Sequence, residues 1–290
     1  MPVLQLLRIP QWIKNLFVYL PAFFAGRLLD SPEGFLRITL AFLSFSLAAS
    51  GIYIINDYLD REEDRLHPTK KNRPLAAGRV SLSLALFLVI GLLSLALGLA
   101  YVLNESFAFL LLGYIILNIA YSVRLKHIPI LDVTLIATGF LLRIFAGGIV
   151  ADVFISRWII LMTFLLALFL ALAKRREDVL LFNSSGNKTR KSVDGYNLEF
   201  INISLGLMAA VTIVAYIMYT LSPDARQSIG NENIYLTTVF VILGMLRYLQ
   251  ITMVENKSGA PAKMLWQDRF LQFTLLGWMV TYYFFLYIEK

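Results

Sequence analysis

The chain contains no cysteine, which excludes a disulfide framework, a thiolate metal site and a cysteine nucleophile. It has only two histidines, His67 and His127, so a histidine-rich metal site is excluded as well. Any metal has to be held by carboxylates, and that favours a hard cation such as magnesium. Charge is scarce too. Of 290 residues, 16% are Asp, Glu, Lys or Arg, where a soluble domain carries about 25%. What fills the chain instead is apolar: 58% hydrophobic residues, 13% aromatic, and a mean hydropathy of +0.70. So few charges cannot wet a globule of this size, and the sequence reads as an integral membrane protein.

A spanning helix needs about 20 mostly apolar residues. Nine stretches qualify as candidates: Leu16–Leu29, Phe35–Ile55, Leu82–Leu103, Phe107–Tyr121, Ile130–Val150, Trp158–Ala173, Phe200–Leu221, Ile234–Met253 and Phe270–Ile288. The first is short and holds Pro21, which predicts a kink or tilt. Arg8, Pro10, Gln11 and Lys14 interrupt the start, so the reading expects a retained helix rather than a cleaved signal peptide. The net charge of +7 raises the question of which side the bases occupy, and does not by itself call for a nucleic-acid partner. With the N-terminus inside, nineteen Lys and Arg fall on the cytoplasmic side and five outside, while Arg143 and Arg247 lie within spans. That bias sets an orientation, and its alternation supports nine crossings.

Chemistry concentrates in the loops on the basic side, at about 56–81, 122–129 and 174–199. The first begins NDYLDREEDR, directly where the second apolar run ends. If that helix continues, Asp57, Asp60 and Asp64 share one face. Three carboxylates on one stripe repel unless a cation lies among them. Magnesium uses one or two carboxylates, keeps several waters and shares substrate phosphates. Arg65, Lys70, Lys71 and Arg73 follow at once, as a diphosphate site requires, with Pro68 and Pro74 ending the helix. The plain alternative is a solvated loop whose charges pair locally; ionisable groups at the membrane boundary favour function.

AKRRED at 173–178 closes the sixth span. Lys174, Arg175 and Arg176 suit a phosphate clamp, and Glu177 or Asp178 could add a carboxylate. The alternative is a basic anchor with a local salt bridge. The stretch from Leu181 to Asn197 is polar and reads as a mobile loop. YSVRLKHIPILDV supplies Tyr121, Arg124, Lys126 and Asp132, and Arg143 lies about three turns beyond Asp132, close to its face. A structural Asp132–Arg143 pair is one reading of that spacing. In RIPQWIKN, Lys14 and Asn15 flank Trp12, which suits an interfacial belt. His67 either touches a phosphate or shapes a turn. Arg247 either pairs with an acid or snorkels. Tyr216, Tyr219, Trp278, Tyr282 and Tyr283 read as packing, and Ala48, Ala49, Ser50 and Gly51 as a site of close helix approach.

NDxxDxxxD at the end of the second of nine helices resembles the UbiA superfamily of intramembrane prenyltransferases. RIPQWIKN at 8–15, NDYLDREEDRLHPTKKNRPLAAG at 56–78, YSVRLK at 121–126 and AKRRED at 173–178 look like its polyprenyl-phosphate phosphoribosyltransferase branch. The likeness covers nearly the whole chain. It implies a single all-α transmembrane catalytic domain over residues 1–290, in the plasma membrane, with N-terminus and active site cytoplasmic. The implied reaction moves 5-phosphoribosyl from 5-phosphoribosyl-1-diphosphate to a polyprenyl (decaprenyl) phosphate and releases diphosphate, in the synthesis of cell-wall arabinan precursors.

By the same resemblance Asp57 and Asp60 are the catalytic magnesium ligands, supported by Asp64. Lys14, Asn56, Arg65, Lys70, Arg73, Tyr121, Lys126, Arg143, Lys174 and Arg175 bind substrate. Many superfamily members carry a second DxxxD after the sixth helix; this chain has KRRED, which favours a donor whose extra 5-phosphate needs cations there. A homo-oligomer stays open. Two rival readings remain: a prenyltransferase with a prenyl diphosphate donor and an aromatic acceptor, and a transporter, for which only Arg143 and Arg247 lie at membrane depth.

Overall fold

The computed structural model describes residues 2–66, 70–185, 194–223, 225, 229–257 and 261–288. His67 and most of the polar stretch after Asn183 lie outside the described residues. All regular structure among the described residues is helical. The chain divides into two compact units: residues 1–127 with 138–155, and residues 128–137 with 156–290.

The first unit opens with α1 (Pro2–Leu7), a 3-10 helix (Ile9–Tyr19) and α2 (Leu20–Phe24). Next come α3 (Pro32–Leu59), α4 (Arg61–Leu66), α5 (Leu82–Leu103) and α6 (Glu105–Val123). Helix α7 (Leu131–Ala151) gives its residues up to Ala137 to the second unit and the rest to the first. Helix starts are fixed locally: the Gly34, Leu84 and Phe107 amides donate to the side chains of Ser31, Ser81 and Asn104, satisfying N–H groups the helix leaves open. The core joins Phe45, Ala48 and Ile52 of α3 to Phe107, Leu111 and Tyr114 of α6, with Ala96 and Ala100 of α5. The small residues of α3 do admit a neighbour: Ala48, Ala49 and Ser50 are buried, and a Cβ on Gly51 would meet Leu93 Cδ2 at 2.9 Å.

The N-terminal segment departs from expectation. Residues 9–19 form one long 3-10 helix, where such runs usually stop after three or four residues. It lies antiparallel along α3. Arg8 meets Asp57, Trp12 Nε1 donates to Ser50 Oγ (3.0 Å), Asn15 Nδ2 to Ser46 Oγ (3.0 Å), and Tyr19 OH to Thr39 Oγ1 (3.0 Å). Trp12 thus docks on α3, which satisfies its indole N–H. On the other side, Gly147 of α7 touches the segment so closely that an added Cβ would lie 2.0 Å from the Val18 carbonyl oxygen.

The second unit holds α8 (Arg157–Ser185), α9 (Leu198–Leu221), a 3-10 turn (Glu232–Thr237), α10 (Thr238–Met253), α11 (Pro261–Gln267) and α12 (Arg269–Tyr283). Its core packs Phe169 and Leu172 of α8 on Ile201 and Leu205 of α9 and Met245 and Tyr248 of α10. The aromatic residues of α9 and α12 do more than fill space: Trp278 Nε1 donates to Tyr216 OH (2.6 Å), and the Tyr219 and Tyr282 hydroxyls share a bond of 2.6 Å. Arg247 pairs with Asp268 (2.6 Å) and Glu255 (3.1 Å), the acid-pairing outcome of its two readings.

Seven helices among the described residues are long and apolar enough to cross a membrane: α3, α5, α6, α7, α8, α9, and the run Glu232–Met253. The expected first and ninth spans are not among them. The first is split into 3-10 and short α segments, and α12 runs only from Arg269 to Tyr283 before a π-helical end.

Candidate active site

The acidic motif does not stay on one helix. Helix α3 ends at Leu59, Asp60 caps it at φ −90°, ψ 0°, and a new short helix begins at Arg61. The expected single stripe of three carboxylates is thereby broken, and the acids find separate partners. Asp57, 2% exposed, accepts from Arg8 and from Arg73 (3.0 Å) on the same oxygen, Oδ1. Asp64, 3% exposed, accepts from the same Arg73 nitrogen at 2.7 Å. Asp60 takes Lys126 on Oδ1 and Asn56 Nδ2 on Oδ2 (3.0 Å).

Three carboxylates thus face three cations drawn from three stretches of chain: Arg8 before the 3-10 helix, Arg73 from the 56–81 loop, and Lys126 after α6. Their mutual repulsion is relieved by side chains, and a divalent ion is not needed to hold the fold. Sequence reasoning assigned Arg73 and Lys126 here but gave no role to Arg8. Its place in RIPQWIKN was the available signal, since the rest of that motif docks on α3 and carries Arg8 to the helix end.

A cleft of about 730 Å³ lined by Gln5, Asn72, Arg73, Pro74, Ala77 and Arg79 opens beside this network, within the size range of small-molecule sites. Arg65 turns elsewhere, to Glu62 (2.9 Å) and the Ala76 carbonyl (3.2 Å). Lys70 is half-buried in a 3-10 turn over 70–72, and Tyr121 is half-buried on α6.

The acids offer oxygen only, the donor set a hard cation takes. Among the described residues no three acidic, histidine or cysteine side chains converge as a metal cage. An ion held by one or two carboxylates and completed by water and phosphate still fits, because the arginine bonds to Asp57 leave its Oδ2 unused. Asp57 and Asp60 are the residues that would hold it.

Deeper in the first unit, Arg143 of α7 is 6% exposed. Its Nε donates to Asn15 Oδ1 (2.7 Å), Nη1 to the Gly139 carbonyl (2.6 Å) and Nη2 to Tyr114 OH (2.8 Å). The Phe45, Tyr114 and Phe140 rings lie 4.9–5.5 Å from its guanidinium carbon. These partners correct the suggested Asp132–Arg143 pairing.

In the second unit Asp132 pairs instead with Arg175, at 2.7 Å, and accepts from Tyr196 OH at 2.7 Å. Arg175 is wholly buried and also donates to Asp178 (2.5 Å). Arg176 ties α8 to Asn202 (2.9 Å), the Thr252 carbonyl (2.5 Å) and Asn256 (3.0 Å). Helix α8 continues well past Ala173, so KRRED is helical and winds Arg175 and Arg176 inward. Of the expected clamp only Lys174 is exposed. Burial and the adjacent Asp132 raise the Tyr196 phenol above its ordinary range, so it serves as a neutral donor.

Residues 15–273 match the family model described as the UbiA prenyltransferase family. The chain is 35% identical over 289 residues to a decaprenyl-phosphate phosphoribosyltransferase of Mycolicibacterium smegmatis, covering 96% of this chain and 90% of that protein. It is 31% identical over 284 residues to the protein of the same name from Mycobacterium tuberculosis, covering 96% and 92%. Among solved structures, a UbiA homologue from Archaeoglobus fulgidus bound to DMAPP and Mg2+ matches with a TM-score of 0.74 at 23% identity, over 99% of this chain and 100% of that one. That likeness is one of fold.

Proposed function

The chain belongs to the UbiA prenyltransferase family, and from that premise we propose that it is a polyprenyl-phosphate phosphoribosyltransferase. It takes 5-phosphoribosyl-1-diphosphate and a polyprenyl phosphate such as decaprenyl phosphate, and releases diphosphate. The bond from ribose C1 to the diphosphate oxygen breaks, and a phosphate oxygen of the lipid bonds to C1. The product is an activated pentose on a lipid, suited to supplying cell-wall arabinan.

The observation that carries this reading is the network in which Asp57, Asp60 and Asp64 are each bonded to Arg8, Arg73 or Lys126. A substrate made of phosphates can take those cations over, which a neutral one cannot. As diphosphate leaves, negative charge grows on its oxygens, and the arginine and lysine donors handed over from the aspartates stabilise it. Arg73 is the better placed for two oxygens, since guanidinium geometry matches phosphate bidentately. Magnesium, when bound at Asp57 and Asp60, would supply further neutralisation of the leaving group. A lipid phosphate is already an anionic nucleophile, so no histidine or cysteine is required.

The site lies at the cytoplasmic face of the plasma membrane in this reading, as the basic loops require. The 3-10 segment with α2, and α12 with its π-helical end, complete nine crossings.

The test is incubation of purified protein with donor labelled in the ribose, decaprenyl phosphate and magnesium. Label should enter the organic phase, and chelation with EDTA should stop it. Transfer only from a labelled prenyl diphosphate would make the protein an ordinary prenyltransferase and sink the proposal.

A further inference from the structure

The start of α7 holds a conformation its residue type does not favour. Ile130 is β-branched and sits at φ +66°, in the left-handed region where such side chains are genuine outliers. Its side chain is exposed, so apolar packing does not account for the twist. What holds the backbone there is a distant stretch of the same unit. The Tyr196 hydroxyl accepts from the Ile130 amide (2.6 Å) and donates to Asp132 Oδ1 (2.7 Å). Asp132 is wholly buried and its other oxygen takes Arg175 (2.7 Å), so the acceptor that orients the phenol is itself anchored. One residue earlier Gly195 presses on Pro129, where an added Cβ would lie 2.2 Å from the proline Cγ. Residues 195 and 196 thus clamp residues 129 and 130.

Helix α7 does not need this clamp to begin, because the Asp132 and Thr134 amides already donate to the Ile128 and Ile130 carbonyls. Backbone strain persists only where its surroundings override it, and such places gather at functional sites. Four residues before Ile130 in the chain stands Lys126, buried, with its ammonium on Asp60. Only His127, Ile128 and Pro129 lie between them. Proline fixes its own φ and restricts the residue before it, so this link is stiff. A change of backbone at Ile130 is therefore passed to Lys126 rather than absorbed on the way.

We propose that Tyr196 is a positioning residue for the donor site: by holding Ile130 left-handed it sets where Lys126 presents its ammonium to the donor's phosphates. This rests on the reaction proposed above and gives a role to a residue outside both the acidic motif and the basic clusters. Tyr196 acts through Ile130 and meets no reacting atom. Burial and Asp132 raise its phenol above the ordinary range, so the hydroxyl keeps its proton and serves both partners at once.

Tyr196→Phe deletes the hydroxyl and keeps the ring. In full-length protein in detergent it should raise the KM for 5-phosphoribosyl-1-diphosphate about tenfold, the worth of one hydrogen bond, and leave the KM for polyprenyl phosphate within about twofold. Ile130→Asn in that background should bring the donor KM back to within about threefold of the intact chain, since asparagine enters the left-handed region readily. Gly195→Ala pushes on Pro129 with the hydroxyl intact and should reproduce the defect. An unchanged donor KM in Tyr196→Phe overturns the assignment. So does a loss that Ile130→Asn does not repair, or one that falls equally on both substrates, as general loosening would give. Amide hydrogen exchange reads the clamp without the reaction. Tyr196→Phe should speed exchange at residues 125–127, beyond the Ile130 amide that loses its acceptor, and Ile130→Asn should slow it again. If the intact protein transfers no phosphoribosyl group, the proposed reaction falls; faster exchange at 125–127 then keeps the clamp, and unchanged exchange removes it as well.

Discussion

Asp57 shows what a single side chain decides here. It is nearly inaccessible and takes two guanidinium groups on one oxygen. Asp57→Asn keeps the volume but removes the charge, so it should cost about a hundredfold or more in turnover. The check is a magnesium titration of kcat; a loss of under about threefold would take Asp57 out of the metal site.

Residue identities were legible in part. Asp57, Asp60, Lys126 and Arg143 stood out because charge at a membrane boundary is rare. Their partners did not, since Lys126 reaches Asp60 and Asn15 reaches Arg143 only through the fold. Arg175 looked like a phosphate ligand for the same reason, yet Asp132 and Asp178 consume it.

At the scale of elements, the apolar runs from Phe35 to Met253 gave helices close to their expected bounds, except that α8 runs on from Ala173 to Ser185. Length and hydropathy suffice for an apolar span but not for a polar helical extension. Two departures have a common cause. Whether a segment is 3-10 or α, and whether α3 passes through Asp60, depends on hydrogen-bond pattern, which hydropathy does not encode. The 3-10 segment is held between α3 and α7, with Gly147 at its contact with α7, while Gly51 marks the separate contact of α3 with α5. A methyl group at Gly147 would meet the Val18 carbonyl, which is backbone and cannot yield, whereas one at Gly51 would meet the flexible end of Leu93. Gly147→Ala should therefore destabilise by about 1–3 kcal/mol or more, and Gly51→Ala by less. Thermal unfolding in detergent would rank them. Because Gly147 braces the segment that carries Arg8, Lys14 and Asn15, its variant should also lose activity at temperatures where it is still folded.

At the scale of the whole molecule, the division into two units was not legible, since no linker or shift of composition marks it, and α7 contributes to both. The proposed sidedness rests on the sequence: nineteen bases against five alternate loop by loop across the nine expected crossings. The first crossing has its own physical support. Contacts of the N-terminal segment run from Asp57 to Thr39 of α3, about 27 Å of helix axis, close to the ~30 Å of a hydrocarbon core. In the proposed topology, a segment that follows α3 that far ends on the opposite side from where it began. The absence of cysteine makes this directly measurable, because a single introduced thiol reports without background. In Leu4→Cys and Ala77→Cys, both at exposed positions, a membrane-impermeant maleimide should react from the cytoplasmic side only; in Phe154→Cys, also exposed, from the outside only. Leu4→Cys labelled from the outside would reverse the N-terminal crossing and detach Arg8 and Lys14 from a cytoplasmic site. Ala77→Cys and Phe154→Cys labelled from the same side would break the alternation on which the orientation rests.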